Sequence, residues 1–246
     1  MPTPREPQPS LARTIEEWWK QGVAREGLPA TLRRFLTEVW GFLRDSTPER
    51  RRRRYGDIEY DWDYRVDTTS ANVPWRDRLL GVFHSPYQPT EPALFRDMLD
   101  DLKINYSEFM FLDLGSGKGR TLLLASDYPF RRILGVELLP ALHRIAQANL
   151  RQYQGNSQKC FAIESLCADA RHVVFPPEPA VIYLFNPFPE SILQQVIANL
   201  ERSLREHPRK VVVLYHHPLL EPVVLKTGVL RKIGGTHQYS VYAPTA

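Results

Sequence analysis

Cysteine is scarce here: Cys160 and Cys167 are the only two in 246 residues. That count excludes a disulfide-stapled scaffold and a thiolate metal cluster, and the spacing of the pair, at the two ends of one expected strand, suits neither. A reducing cytoplasm is the simplest setting for such a chain. Long apolar runs are also missing. No stretch approaches the roughly 18 residues that cross a bilayer, so no transmembrane segment is expected. Residues 1–9 contain no apolar stretch, and no secretory signal is expected. The seven histidines have no ligand spacing, so no metal is expected, and no Gly-x-Ser-x-Gly elbow marks a hydrolase nucleophile. No internal repeat or low-complexity tract is present.

A dominant charge sign is absent too. The net charge is +4, but it is unevenly spread. Residues 1–56 hold 12 Lys/Arg against 7 Asp/Glu, whereas residues 57–101 hold 4 against 10. The acidic middle argues against one continuous basic face, so nucleic acid is a permitted partner but not the favoured one.

What is present divides the chain into three stretches. Residues 1–56 read as an N-terminal helical extension and an arginine-rich linker. Four prolines in residues 1–10 favour extended chain. Ser10 is placed to cap a helix through about Arg25. A second helical pattern starts near Ala30, where Leu32, Phe35, Leu36, Val39, Trp40 and Leu43 recur on one face. That face packs on the main domain, or it docks a partner, a second copy or a membrane surface through residues 30–45. Arg50 to Arg54 follow, and five like charges in a row favour a solvated linker. Residues 57–103 read as an acidic-aromatic cap loop, with Trp62 and Asp67 in it, and a lead-in helix from about Glu91 to Leu102.

Residues 104–246 alternate short apolar strands with helices. Strands are expected at 109–114, 132–137, 161–166, 180–185 and 210–216, with helices near 119–127, 139–152 and 189–205. This alternation predicts an α/β, Rossmann-like, mostly parallel sheet with helices on both faces. The chain closes with strands at Val223 to Ile233 and Gln238 to Ala243, joined by Gly234-Gly-Thr-His237, an antiparallel β-hairpin.

Ligands of such sheets bind at the carboxyl ends of the strands, near the point where strand order reverses. The first strand runs into Asp113-Leu-Gly-Ser-Gly-Lys-Gly119. Gly115, Gly117 and Gly119 let the backbone turn sharply and approach a ligand closely. Asp113 either orients that loop or meets a ligand amine. The second strand ends in Glu137, 22 positions after Gly115, where a carboxylate can accept both hydroxyls of a ribose. The third strand leads to Asp169 and Ala170, placed for an exocyclic amine such as adenine N6. The fourth ends in Asn186-Pro187-Phe188, where an amide, a rigid proline step and a ring occupy the position at which chemistry would occur.

Together these strand ends resemble a class I, seven-strand S-adenosylmethionine-dependent methyltransferase. With Tyr87 and Thr90 upstream, the glycine motif is most similar to lysine methyltransferases of the non-SET type and their bacterial relatives. The resemblance covers about residues 86–246. It departs from amine-directed members at Phe188, where they often carry a second proline. It implies S-adenosyl-L-methionine as cofactor, held by Asp113, Gly115, Ser116, Gly117, Gly119, Glu137, Asp169, Ala170, Tyr87 and Thr90. It also implies N-methylation of a protein or small-molecule acceptor positioned by Asn186, Pro187 and Phe188. Two other readings stay open: an NAD-dependent Rossmann oxidoreductase, and a non-catalytic protein that binds S-adenosylmethionine.

Overall fold

The computed structural model describes residues 11–45, 58–69 and 87–245. Ser10 and the Arg50 to Arg54 run lie outside them. Helices α1 (Leu11–Glu26) and α2 (Leu28–Asp45) form a hairpin; α3 (Ile58–Tyr64) and α4 (Pro92–Asp100) precede the sheet. Five strands and four helices follow in order: β1 (Met110–Leu114), α5 (Arg120–Ala125), β2 (Ile133–Glu137), α6 (Pro140–Gln152), β3 (Ile163–Cys167), β4 (Ala180–Phe185), α7 (Glu190–Glu206), β5 (Val211–His216) and α8 (Glu221–Leu225). Strands β6 (Leu230–Gly235) and β7 (Tyr239–Pro244) close the chain.

The seven strands run in the order β3-β2-β1-β4-β5-β7-β6. All neighbouring pairs from β3 to β5 are parallel, and β7 is antiparallel to both β5 and β6. Every residue of β1, β2 and β5 is buried, as strands covered on both faces must be. One face is covered by α7, which turns Leu193, Val196, Ile197 and Leu200 inward at helical spacing. Burying each such side chain stabilises the fold by about 1.5–3 kcal/mol. Phe95, Met98 and Leu99 of α4, with Leu122 and Leu123 of α5, cover the opposite face. Strand order reverses between β1 and β4, which fixes where a ligand crevice lies.

Two expectations are corrected. Val223 and Val224, expected in a strand, lie buried in α8; Pro222 in its first turn and Glu221 at its start favour a helix there. The strand begins only at Leu230. The acidic-aromatic segment is helical over Ile58–Tyr64 rather than a loop. Glu59 and Asp61 sit in its first turn, where acids complement the helix dipole. Tyr60 and Tyr64 pair at 4.7 Å, and Tyr64 reaches Tyr153, the residue after α6, at 5.3 Å.

Candidate functional site at the strand ends

The loops after β1 and β4 touch. A Cβ on Gly115, whose φ is +97°, would lie 2.6 Å from Cβ of Pro187. Only glycine adopts that backbone freely and leaves that room. The same holds for Gly117, at φ +54°: its Cβ would lie 2.3 Å from the Tyr87 ring. The two loops and Tyr87 therefore converge on one point above the switch between β1 and β4.

Glu137 shapes this loop from the next strand. Its Oε2 accepts the Gly117 amide at 2.8 Å and its Oε1 accepts the Leu139 amide at 2.8 Å. Ser116 packs its side chain over Gly135 of β2, and its buried Oγ has no hydrogen-bond partner among the described residues. An orphan hydroxyl of this kind is rare in a folded interior.

Asp113 is buried and accepts a hydrogen bond from Thr121 Oγ1 of α5. Burial pushes its carboxyl up to about 7; the Thr121 bond opposes this and Glu137 adds to it. Asp169 caps the short turn of residues 170–172: Oδ1 accepts the Arg171 amide at 2.9 Å, and Oδ2 accepts Nε at 2.9 Å and a terminal guanidinium nitrogen at 2.6 Å. Although partial burial opposes it, the Arg171 bonds and charge hold its carboxyl below the usual range. Ala170, in that turn, is buried against the α7 side of the sheet.

Asn186 holds φ +43° at the end of β4, and Tyr215 Oη donates to its Oδ1 at 3.1 Å. Phe188, half-buried, packs against the same core cluster as Ala170 and α7. Thr90 lies deeper. Its hydroxyl is 2.9 Å from Tyr183 Oη, which is 2.9 Å from Nδ1 of His216. The Phe185 ring stacks on His216 at 3.9 Å. Burial, with His217 adding to it, pushes His216 down to about 4.

No protein-family model matches the chain. Among curated proteins, a protein-lysine N-methyltransferase of Saccharolobus islandicus is 35% identical over 72 residues, 29% of this chain. The chain spans 44% of that relative's length. Among solved structures, a precorrin-6y C5,15-methyltransferase of Geobacter metallireducens aligns with a TM-score of 0.45 and 15% identity. That alignment covers 64% of this chain and 89% of the other. An RNA methyltransferase of Salinibacter ruber, solved with S-adenosyl-L-homocysteine, gives 0.38 and 21%, covering 65% and 95%. The chain resembles the class I methyltransferases.

A second set of residues locks the glycine loop, and sequence reasoning missed most of it. Lys118, inside the glycine motif, is fully buried; its Nζ donates to Asp67 Oδ1 at 2.6 Å and to the Thr69 carbonyl at 2.7 Å. Arg120 is buried as well, donating from Nε to Thr68 Oγ1 at 2.6 Å and reaching Asp61 Oδ1 at 3.2 Å. Asp61 Oδ2 in turn accepts the amides of Thr68 and Thr69. Asn149 of α6 joins both sides, accepting the Asp67 amide and donating to the carbonyls of Asp67 and Lys118, all at 2.9 Å. Tyr87 Oη donates to the Thr68 carbonyl at 2.5 Å. The one signal available in the sequence was Lys118 and Arg120 themselves, two cations beside an apolar helix that must find anions when buried. Trp62, in the segment expected to cap the site, is 81% exposed.

Proposed function

We propose that this chain is an S-adenosylmethionine-dependent methyltransferase that transfers a methyl group to an amine nitrogen, with a protein lysine as the acceptor. The observation that carries this reading is the junction of Gly115 and Gly117 with Pro187 and Tyr87 at the sheet's switch point, with Glu137 on the adjacent strand end. The lysine acceptor draws support from the name of the archaeal relative.

The residues present fit the cofactor. Glu137 sits at the second strand end with its carboxylate on the glycine loop, where it would meet ribose hydroxyls, and Ser116 Oγ is a buried hydroxyl that a ligand group would complete. Asp169 and Ala170 would lie on the adenine side. When bound, S-adenosylmethionine supplies a methyl group already activated by a sulfonium charge. What the chain must add is alignment and exclusion of water. Segment 58–69, tied down by Lys118 and Arg120, would exclude water from one side. Asn186 Oδ1 would accept an N–H of the neutral amine beside its bond from Tyr215, and the Pro187 carbonyl would accept another. Phe188 would line the acceptor approach.

Calorimetric titration with S-adenosylmethionine, S-adenosylhomocysteine and NAD tests the cofactor. Binding of both sulfur compounds is expected, weakened about tenfold or more in Glu137→Ala, which is about 1.4 kcal/mol. Binding of NAD alone would sink the proposal. Tritiated methyl donor incubated with cell lysate tests the acceptor: label in protein, lost in Asn186→Ala, is the expected result. Label in nucleic acid or small molecules would refute the lysine acceptor while leaving methyl transfer intact.

A further inference from the structure

Strands β4 and β5 end alike. Phe185 and His216 are partners across this parallel pair, and the residue after each, Asn186 and His217, holds a left-handed backbone at φ +43° and +50°. Neighbouring strands lie about 4.8 Å apart, so Asn186 and His217 leave the sheet side by side. Non-glycine residues are uncommon in that conformation, and strain of this kind gathers at functional sites.

The two histidines have different surroundings. His216 is buried, bonded through Nδ1 to Tyr183, which bonds Thr90 in turn, and stacked on Phe185 at 3.9 Å. Pushed down to about 4 by burial and by His217, it is neutral at about pH 7. His217 is exposed. Its ring lies nearly parallel to those of Phe185 and His216, at 10° and 20°, with centroids 6.0 and 5.4 Å away. Its amide donates to the Gln238 carbonyl at 2.8 Å, which ties the turn to the closing hairpin. The other titratable groups paired or bonded to this stack are Tyr183 of β4 and Tyr239 of β7, which donates to Asp101, the residue after α4. His217 is therefore an imidazole with a fixed backbone and a packed ring face, open to solvent beside Asn186.

A lysine ammonium stays protonated up to about pH 10.4 and has no lone pair with which to attack a methyl group. Asn186 Oδ1 and the Pro187 carbonyl can accept an N–H bond but cannot keep a proton. An imidazole can, near neutral pH. We propose that His217 takes the proton from the acceptor ammonium, an inference that rests on the methyltransferase reading above. The proton passes to a ring nitrogen of His217 and stays there while the freed lone pair forms the N–C bond. The carbon–sulfur bonding pair remains on sulfur, which leaves a neutral thioether and a methylated ammonium. His217 then returns its proton to water.

The test compares the full-length wild type with His217→Asn, since asparagine also tolerates the left-handed backbone. His217→Gly serves as a second variant should the first unfold early. Tritiated S-adenosylmethionine is incubated with the protein fraction of a cell lysate from about pH 6 to 10, and S-adenosylhomocysteine affinity is measured by calorimetry. Both variants should bind S-adenosylhomocysteine as tightly as the wild type. At about pH 7.5 they should label protein about 100-fold more slowly. The wild-type rate should level off once the imidazole is neutral. The variant rate should keep rising, about tenfold per pH unit, towards the ordinary lysine value of about 10.4. Added imidazole should restore part of it. An unchanged rate, or one lowered by the same factor at every pH without rescue by imidazole, overturns the assignment of His217 while methyl transfer stands. A wild type that binds neither sulfur compound and labels no protein overturns the methyltransferase reading itself, and the role of His217 with it.

Discussion

Gly117 is the residue whose identity the site depends on most directly. A methyl group there would meet the Tyr87 ring at 2.3 Å and hold a backbone that non-glycine residues avoid. Gly117→Ala should therefore lower stability by about 1–3 kcal/mol and displace Tyr87 from the loop. Denaturant unfolding, with the fluorescence or near-ultraviolet signal of Tyr87 followed in parallel, checks both effects. A stability equal to wild type would mean that Tyr87 moves away freely and is not part of the site. This much was legible in the chain: three glycines at alternate positions after an apolar strand announce close approach. The partner of Gly117 was not legible, because Tyr87 is 30 positions upstream and nothing local joins the two.

At the level of elements, the connection that matters runs from segment 58–69 to the start of α5. Both cations of that connection are buried, and Asp61 is only slightly exposed. Removing one partner of a buried pair is costlier than removing both, because the survivor keeps its charge without compensation. Asp61→Ala should cost about 3–5 kcal/mol, since it takes a carboxylate from Arg120 and also frees the amides of Thr68 and Thr69. Asp61→Asn, which keeps an acceptor oxygen, should cost less. Urea unfolding ranks the two variants, and limited proteolysis of segment 58–69 should follow the same order. Equal, near-zero costs would show that the segment is not held by this pair. By contrast, Arg25 and Glu190, which join the α1–α2 hairpin to α7, are both substantially exposed. Arg25→Ala should change global stability by less than about 1 kcal/mol, as exposed pairs generally do. Periodicity was enough to find both hairpin helices and all five parallel strands. It failed for segment 58–64 because alternating acids and aromatics have no apolar face in isolation; the face exists only against Tyr153 and the glycine loop.

Across the whole molecule, two buried groups give opposite pH dependences. Asp113 keeps its proton up to about 7 in the folded chain, well above its ordinary value. Between about pH 4 and 7 the folded state therefore binds more protons here than the unfolded state, and this group makes stability fall as pH rises. His216 is held down to about 4, so over about pH 4 to 6.5 the unfolded state binds more protons there, and stability rises with pH. The two slopes oppose each other in the wild type. Asp113→Asn, which still accepts from Thr121, should expose the rising slope, and His216→Phe, which keeps a ring on Phe185, should expose the falling one. Thermal melting of ligand-free protein across this range reads both. Parallel profiles for all three proteins would contradict the burial argument.

The sequence by itself determined the sheet, its parallel pairing and its closing hairpin, because alternation of apolar runs with helical periods leaves few other ways to bury both. It also determined which strand ends bear the glycines, Glu137, Asp169 and Asn186, since these follow each strand within a few residues. Only the tertiary structure decided that Asp113 bonds Thr121 of α5, that Asp169 is shared with Arg171, and that Lys118 and Arg120 fasten a distant helix over the turn. It also decided that one face of α2 stays in solvent. These outcomes depend on burial, and burial is set by what the rest of the chain brings to each residue from far along the sequence.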